Sequence, residues 1–307
     1  MNAFLKVLAT TTVLGVTSAI VIPTIAQTNP SELRLRVEED APPLDVVETP
    51  ATIGAVEQNI TRFKPELSIA SPQPNQVLET GAVELQLQVR RLPVAYDPDT
   101  GLGAHVKVIV DNNEPIDYFN VNEPLVLQLS PGTHTIRTIA ASPWDSSYRG
   151  LDAFDSVTFH VEEADGRNNP TIQVGSPLLT VTSPSGSYGS DPILLDYIVD
   201  GVNLGAAKIR YTVNGISAET TSRMPMYLEG WLPGENQLVV ELVGPDGSVL
   251  DNNGTGINRI ERTIFLDAQQ VDGLSQLVDG AFQPSDLRNA LGPNPFVYDD
   301  RGNPRLL

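Results

Sequence analysis

"LSPGTHTIRTIA" (129–140) and "WLPGENQLVVEL" (231–242) are one pattern written twice. Each begins with a Pro-Gly pair, Pro131-Gly132 or Pro233-Gly234, that makes a tight turn and launches a run suited to a strand. Working outward from this pair, every neighbouring segment finds a counterpart. "LSIASPQPNQV" (67–77) answers to "LLTVTSPSGSY" (178–188), with Ser71-Pro72 against Ser183-Pro184. "VELQLQV" (83–89) answers to "ILLDYIV" (193–199), "VKVIVDNNEP" (106–115) to "IRYTVNGISA" (209–218), and "VTFHV" (157–161) to "RTIFL" (262–266). Self-similarity of this kind marks a repeated structural unit. The copies differ by an insertion in the first, "RRLPVAYDPDTGLGA" (90–104).

Within each copy the apolar residues alternate. Val83, Leu85, Leu87 and Val89 share one face, as do Val106, Val108 and Val110, and again Val157, Phe159 and Val161. Period-2 alternation with a polar outer face is the pattern of antiparallel strands solvated on one side. Six or seven short strands in roughly 95 residues is the scale of a β-sandwich. The expected fold is therefore all-β, with tandem immunoglobulin-like sandwiches at 65–165 and 171–267. Ahead of them come an N-terminal signal helix (1–26) and a disordered, acidic, Pro-rich linker (27–64). Behind them is a tail (268–307) with one short helix, for which Ser285 supplies the N-cap, Asp286 the acidic first turn, and Gly292 and Pro293 the stop.

The opening "SP" strand, the central "VKVIVDNN" hairpin and the late "LSPGTHTI" strand pair resemble the immunoglobulin-like domains of secreted bacterial proteins. The resemblance implies the sandwich fold over about 65–163 and 171–267. It implies little about activity, because this fold carries many unrelated functions.

The first residues fit export. Lys6 precedes an uncharged run from Val7 to Ile22, and Thr24 and Ala26 stand at the −3 and −1 positions of a small-residue cleavage site. The alternative is an uncleaved anchor, since the run falls just short of the roughly 20 residues that span a bilayer. A membrane enters as a partner only if the signal stays attached. The formal charge of −19 argues against nucleic acid and anionic headgroups as partners. With no Cys, disulfides, thiolate metal sites and thiol nucleophiles are all excluded.

Three histidines are present. By parity His105 and His160 face solvent, opposite the inward valines. His134 aligns with Asn236 of the second copy and reads as structural. No nucleophile elbow, zincin or P-loop run occurs. Calcium is the one cofactor left open, at Asp97, Asp99 and Asp251. Neither "DPDTG" (97–101) nor "DNNGTG" (251–256) continues with the spacing of an EF-hand loop, and each is complete as a turn. The connection "SPWDSSYRG" (142–150) places two rings and a guanidinium in one loop, whereas the second copy has "GPDGSV" there. A feature found in one repeat only is not a requirement of the sandwich. Trp144, Tyr148 and Arg149 are accordingly the candidate ligand contacts, against the alternative that Trp144 closes the core.

These observations favour a non-catalytic binding or structural module of the bacterial cell envelope or extracellular space, with an envelope polysaccharide or a protein as partner. The alternatives are a carbohydrate-active accessory or hydrolase, using Asp97 or Asp99 with Asp145, and spacer domains that present the C-terminal tail.

Overall fold

The structure is a computed structural model of the 307-residue chain. It describes residues 44–60, 63–172, 175–282, 286–288, 290, 296–298 and 304–306. The signal segment 1–26, the first part of the 27–64 segment, and Ser285, Gly292 and Pro293 of the expected tail helix lie outside the described residues.

A short strand β1 (Asp45–Val47) and a helix α1 (Ala51–Ile60) come first. The first sandwich follows with β2 (Glu66–Ser71), β3 (Val77–Leu78), β4 (Ala82–Arg90), β5 (His105–Val110), β6 (Ile116–Tyr118), β7 (Leu125–Gln128), β8 (Gly132–Ala141) and β9 (Phe154–Val161). The second has β10 (Leu178–Ser183), β11 (Ser187–Tyr188), β12 (Ile193–Asp200), β13 (Lys208–Val213), β14 (Ile216–Thr220), β15 (Met226–Glu229), β16 (Gly234–Val243) and β17 (Arg259–Leu266). The sheet orders are β2-β4-β7 with β3-β9-β8-β5-β6, and β10-β12-β15 with β11-β17-β16-β13-β14. The two copies thus share one topology strand for strand. In each the short second strand, β3 or β11, runs parallel to the last. Both also carry a register shift just before the Ser-Pro bond, which is cis in both.

Period-2 patterning explains the two cores. Val83, Leu85, Val106, Val108, Ile136, Val157 and Phe159 fill the first; Leu179, Leu195, Tyr197, Ile209, Leu238, Val240 and Ile264 fill the second. The Pro-Gly turns end in Gly132 (φ 134°) and Gly234 (φ 89°), backbone that favours glycine. His134 and Asn236 brace those turns alike. His134 Nε2 donates to Ser130 O at 2.8 Å and its Nδ1 meets Asp111 Oδ2 at 2.9 Å. Asn236 Nδ2 donates to Leu232 O at 2.8 Å, and its Oδ1 accepts from Asn214, the residue aligned with Asp111. The structural reading of His134 rests on this shared network.

The chain just ahead of the first sandwich departs from the expected linker. β1 adds an antiparallel strand to the free edge of β15, pairing Asp45 with Glu229 and Val47 with Tyr227. From α1, Ile53 and Val56 are buried in a third apolar cluster. Apolar residues spaced for a single helical turn were too few to register as a period, and the surface they cover belongs to another part of the chain.

The tail also differs from expectation. Its helix, α2 (Gly273–Val278), lies earlier and is closed by a capping box: Asp272 accepts from Ser275 N at 2.7 Å, and Ser275 Oγ accepts from Asp272 N at 3.0 Å. Asp286–Arg288 form a single 3-10 turn, and β18 (Phe296–Tyr298) pairs with β19 (Pro304–Leu306). Asp272→Ala is expected to lower stability by about 1 kcal/mol, read from the urea midpoint. An unchanged midpoint would mean that packing alone holds α2. Among the described residues no helix is long and apolar enough to cross a membrane.

Candidate functional site: the seam between the sandwiches

A solvated sheet should bury one residue in two, yet every residue of β5 and β8 is buried. Val106, Val108 and Val110 turn into the first core, while His105, Lys107, Ile109, Arg137 and Ile139 alternate to the opposite face and are buried there too. The expectation that His105 faces solvent is therefore corrected. Parity gave its direction, but Asp117, Phe119 and Asp145 of its own sandwich cover that direction. His160 is half-buried, with Nδ1 3.0 Å from Thr133 Oγ1.

Arg137 is the fastener of this face. Its side chain, 1% exposed, donates to Leu179 O (3.0 Å) and Thr180 Oγ1 (2.8 Å) on β10, and to Asn112 Oδ1 (2.9 Å) and Asp111 O in its own sandwich. Asn112 reaches across as well, to the carbonyls of Ile257 and Arg259.

Beside it lies a cluster of four ionisable groups. Lys107 Nζ sits 2.8 Å from Asp117 Oδ1 and 3.2 Å from Asp145 Oδ1. His105 Nε2 is 3.3 Å and 3.4 Å from the same two oxygens, although its N–H points squarely at neither. Burial opposes the charged form of all four, and the opposite charges outweigh it. Lys107 is held protonated, Asp117 and Asp145 are held below the usual carboxylate range, and His105 is lifted to about 9. His105, Asp117 and Asp145 have the donor types of a metal site. The Lys107 ammonium already stands where a cation would, and two positive charges balance two negative ones.

The sign of the pH dependence follows. His105 binds its proton more tightly folded than unfolded, so its contribution is complete below about pH 6.5 and is lost as pH rises toward 9. Unfolding free energy should fall by up to about 3 kcal/mol across that window, measured by denaturant titration at fixed pH steps. His105→Gln should flatten the fall; a wild-type profile level from pH 6.5 to 9 would refute the assignment.

Of the two readings of the loop 142–150, display of its rings or closure by Trp144, closure describes Trp144. Trp144 is 1% exposed, packed in the third cluster with Ile53, Leu102, Leu194, Tyr227, Leu277 and Leu287. Ser147 N–H donates to Asp196 Oδ2 at 2.6 Å, Ser147 Oγ lies 3.0 Å from Thr182 Oγ1, and the Arg149 guanidinium pairs with Asp196 and donates to Tyr197 O. Asp196 itself is fully buried. The physical reason agrees with the repeat argument. Rings and a guanidinium present in one copy only serve the pairing of the two copies rather than either sandwich.

The loop does border open space. A cavity of about 400 Å³ lies along it, walled by Glu57 and Lys64 from the α1 region, Trp144, Tyr148 and Arg149 from the loop, and Met224 from the second sandwich. Burial, with Asp196 nearby, raises the Glu57 carboxyl, and burial with Glu57 nearby raises the Tyr148 phenol. Sequence reasoning missed Glu57 and Lys64, because they come from a stretch without a fold signal of its own.

The other candidates lie elsewhere. Asp97 is buried and accepts from Asp99 N at 3.1 Å; Asp251 accepts from Gly254 N at 3.0 Å. Both serve turns, and Asp97, Asp99 and Asp251 form no three-ligand group among the described residues. Asp145, offered as the partner of Asp97 or Asp99 in a hydrolase, is committed to Lys107 and His105 and is not on the cavity wall. The 90–104 insertion instead holds the tail: Leu102 joins the third cluster, Ala104 N–H donates to Ala290 O, and Gly273 approaches Thr100 O so closely that a Cβ would lie 1.7 Å from it.

No protein-family model matches the chain, and no curated protein does. Among solved structures it is similar to the fibronectin(III)-like modules of Clostridium thermocellum CbhA, at 12% identity and TM-score 0.25, over 67% of this chain and 96% of that one. It is also similar to the Bacteroides ovatus mixed-linkage glucan utilization locus protein SGBP-B, solved in complex with a mixed-linkage heptasaccharide, at 11% identity and TM-score 0.21, over 66% and 70%. A third is Salmonella alpha-2-macroglobulin reacted with methylamine, at 12% identity and TM-score 0.21, over 66% and 15%.

Proposed function

We propose that the chain is a non-catalytic binding module, exported to the cell envelope or extracellular space, that takes its partner at the seam between its two sandwiches. The observation that carries this reading is the 400 Å³ cavity beside Tyr148 and Arg149, on a wall assembled from three separate parts of the chain. Concave sites of this size, with apolar walls and a few polar groups, are where ligands are held. Catalysis finds less support. Of the two strongest acid–base candidates, His105 is closed within an ion cluster and His134 braces a turn. The spacer reading is also less favoured, since the tail residues Leu277, Leu287 and Ala290 pack into the third cluster instead of standing free.

The test is retention of the full chain on separated envelope fractions: wall polymer, outer membrane and exopolysaccharide. Wild type is compared with Tyr148→Ala, with circular dichroism to verify folding. Retention by one fraction that falls at least tenfold in the folded variant supports the seam as the binding site. Retention indifferent to Tyr148, or none at all, counts against it.

A further inference from the structure

The seam cavity is one lobe of a longer groove. A second hollow of about 250 Å³ shares Tyr148, Arg149, Gly150 and Met224 with it. A third of about 360 Å³ shares Leu151 and Phe154 with the second, and Asp152 with the first. The three run round the tip of the β8–β9 connection, and the Leu151 side chain, 97% exposed, stands on the wall common to the second and third. Separate hollows suit small ligands; hollows with common walls suit a chain whose successive units settle in successive lobes.

The walls also indicate the chemistry of that chain. Each lobe carries both signs of charge: Glu57, Asp152, Lys64 and Arg149 in the first, Asp200 with Arg149 and Arg223 in the second, Glu66 and Asp152 with Arg90 in the third. The guanidiniums of the central lobe are engaged within the protein, Arg149 by Asp196 and Arg223 by the carbonyls of Val199 and Val202. An anionic polymer would find no free cationic track there, and the net charge of −19 would repel it. Phe63, Tyr148 and Phe154 offer faces for the C–H side of a sugar ring, with carboxylates beside them to accept hydroxyl protons. A peptide added as a strand is disfavoured, because the outward amide of Ile69 on the adjacent β2 edge is already taken by Asp155 Oδ2 at 2.7 Å.

Resting on the binding reading above, we infer that the groove holds an uncharged polysaccharide chain, with at least one sugar unit in each lobe. The probes are polysaccharide from the parent cell envelope, split by anion exchange into neutral and acidic pools, and size-fractionated fragments of the neutral pool. The full chain is compared with three variants at exposed side chains, which should fold normally: Lys64→Ala in the first lobe, Arg90→Ala in the third, and Leu151→Asp between the second and third.

The expected result is binding to the neutral pool, at least threefold weaker with Lys64→Ala or Arg90→Ala and at least tenfold weaker with Leu151→Asp. Affinity should rise steeply with fragment length. Preference for the acidic pool, equal affinity for short and long fragments, or indifference to Arg90 and Leu151 would each overturn the inference. Binding to neither pool would also overturn it. In that case Tyr148-dependent retention of an envelope protein would leave the seam reading intact, and its absence would remove both.

Discussion

Arg137→Met lowers the unfolding free energy by roughly 3–5 kcal/mol, the largest loss expected from any single exchange outside the two sandwich cores. The substitution conserves most of the side-chain volume, so little of the effect is a cavity. The loss comes from acceptors left behind. Leu179 O, Thr180 Oγ1, Asn112 Oδ1 and Asp111 O would lie buried without the donor that now satisfies them. An unmet buried acceptor costs about 1–3 kcal/mol, and four sharing one partner relax together instead of adding in full. Urea unfolding followed by tryptophan fluorescence is the measurement: Trp144 reports on the third cluster and Trp231 on the second core. Both transitions should move together, because Arg137 ties one sandwich to the other. A loss under about 1 kcal/mol would mean that water replaces the guanidinium at the seam.

Lys107→Met is expected to cost about 2–3 kcal/mol at neutral pH, for a different reason. Removing the ammonium leaves Asp117 and Asp145 facing one another with only His105 between them. The result is an excess of negative charge that is partly desolvated at Asp145 and open to solvent at Asp117. In the wild type both carboxylates are held ionised, so their stabilisation is present above the usual carboxylate range and is lost only on strong acidification. The variant should invert that slope. Taking up a proton would relieve the repulsion, so the variant regains stability as pH falls toward 5. Adding Asp145→Asn to Lys107→Met should recover a substantial part of the loss, as a double-mutant cycle would record.

Arg210→Met is the control. Arg210 occupies the aligned position on β13, 27% exposed, and pairs at 2.8 Å with a Glu241 that also keeps Arg259 at 2.5 Å, in a ladder that opens to solvent at Glu261. About 1 kcal/mol or less is expected for that exchange. Equal costs at Lys107 and Arg210 would show that the seam contributes nothing beyond an ordinary ion pair.

The contrast between Lys107 and Arg210 shows how far the sequence could be read. Both are cations at one position of one repeated strand, both opposite inward apolar residues, and local pattern treats them alike. The apolar partners of β4, β5 and β9 were legible because alternation is a property of neighbours along the chain. The shared topology was legible because the repeat carries it. Trp144 and Arg149 were legible as an anomaly, side chains without a counterpart in the matching loop, but their direction was not. Ile53 and Val56 gave no signal, because the surface they cover belongs to β12, β15 and the tail.

Composition and pattern by themselves determined two immunoglobulin-like sandwiches, the inward faces of β4, β5 and β9, and the structural role of His134, since each depends on contacts within one repeat. Only the tertiary structure decided which outer face stays wet, where the loop 142–150 points, and that a groove lies between the copies. Docking one sandwich on another sums weak contributions from residues far apart in the chain. No local period records such a sum, so the seam appears only when both surfaces are in place.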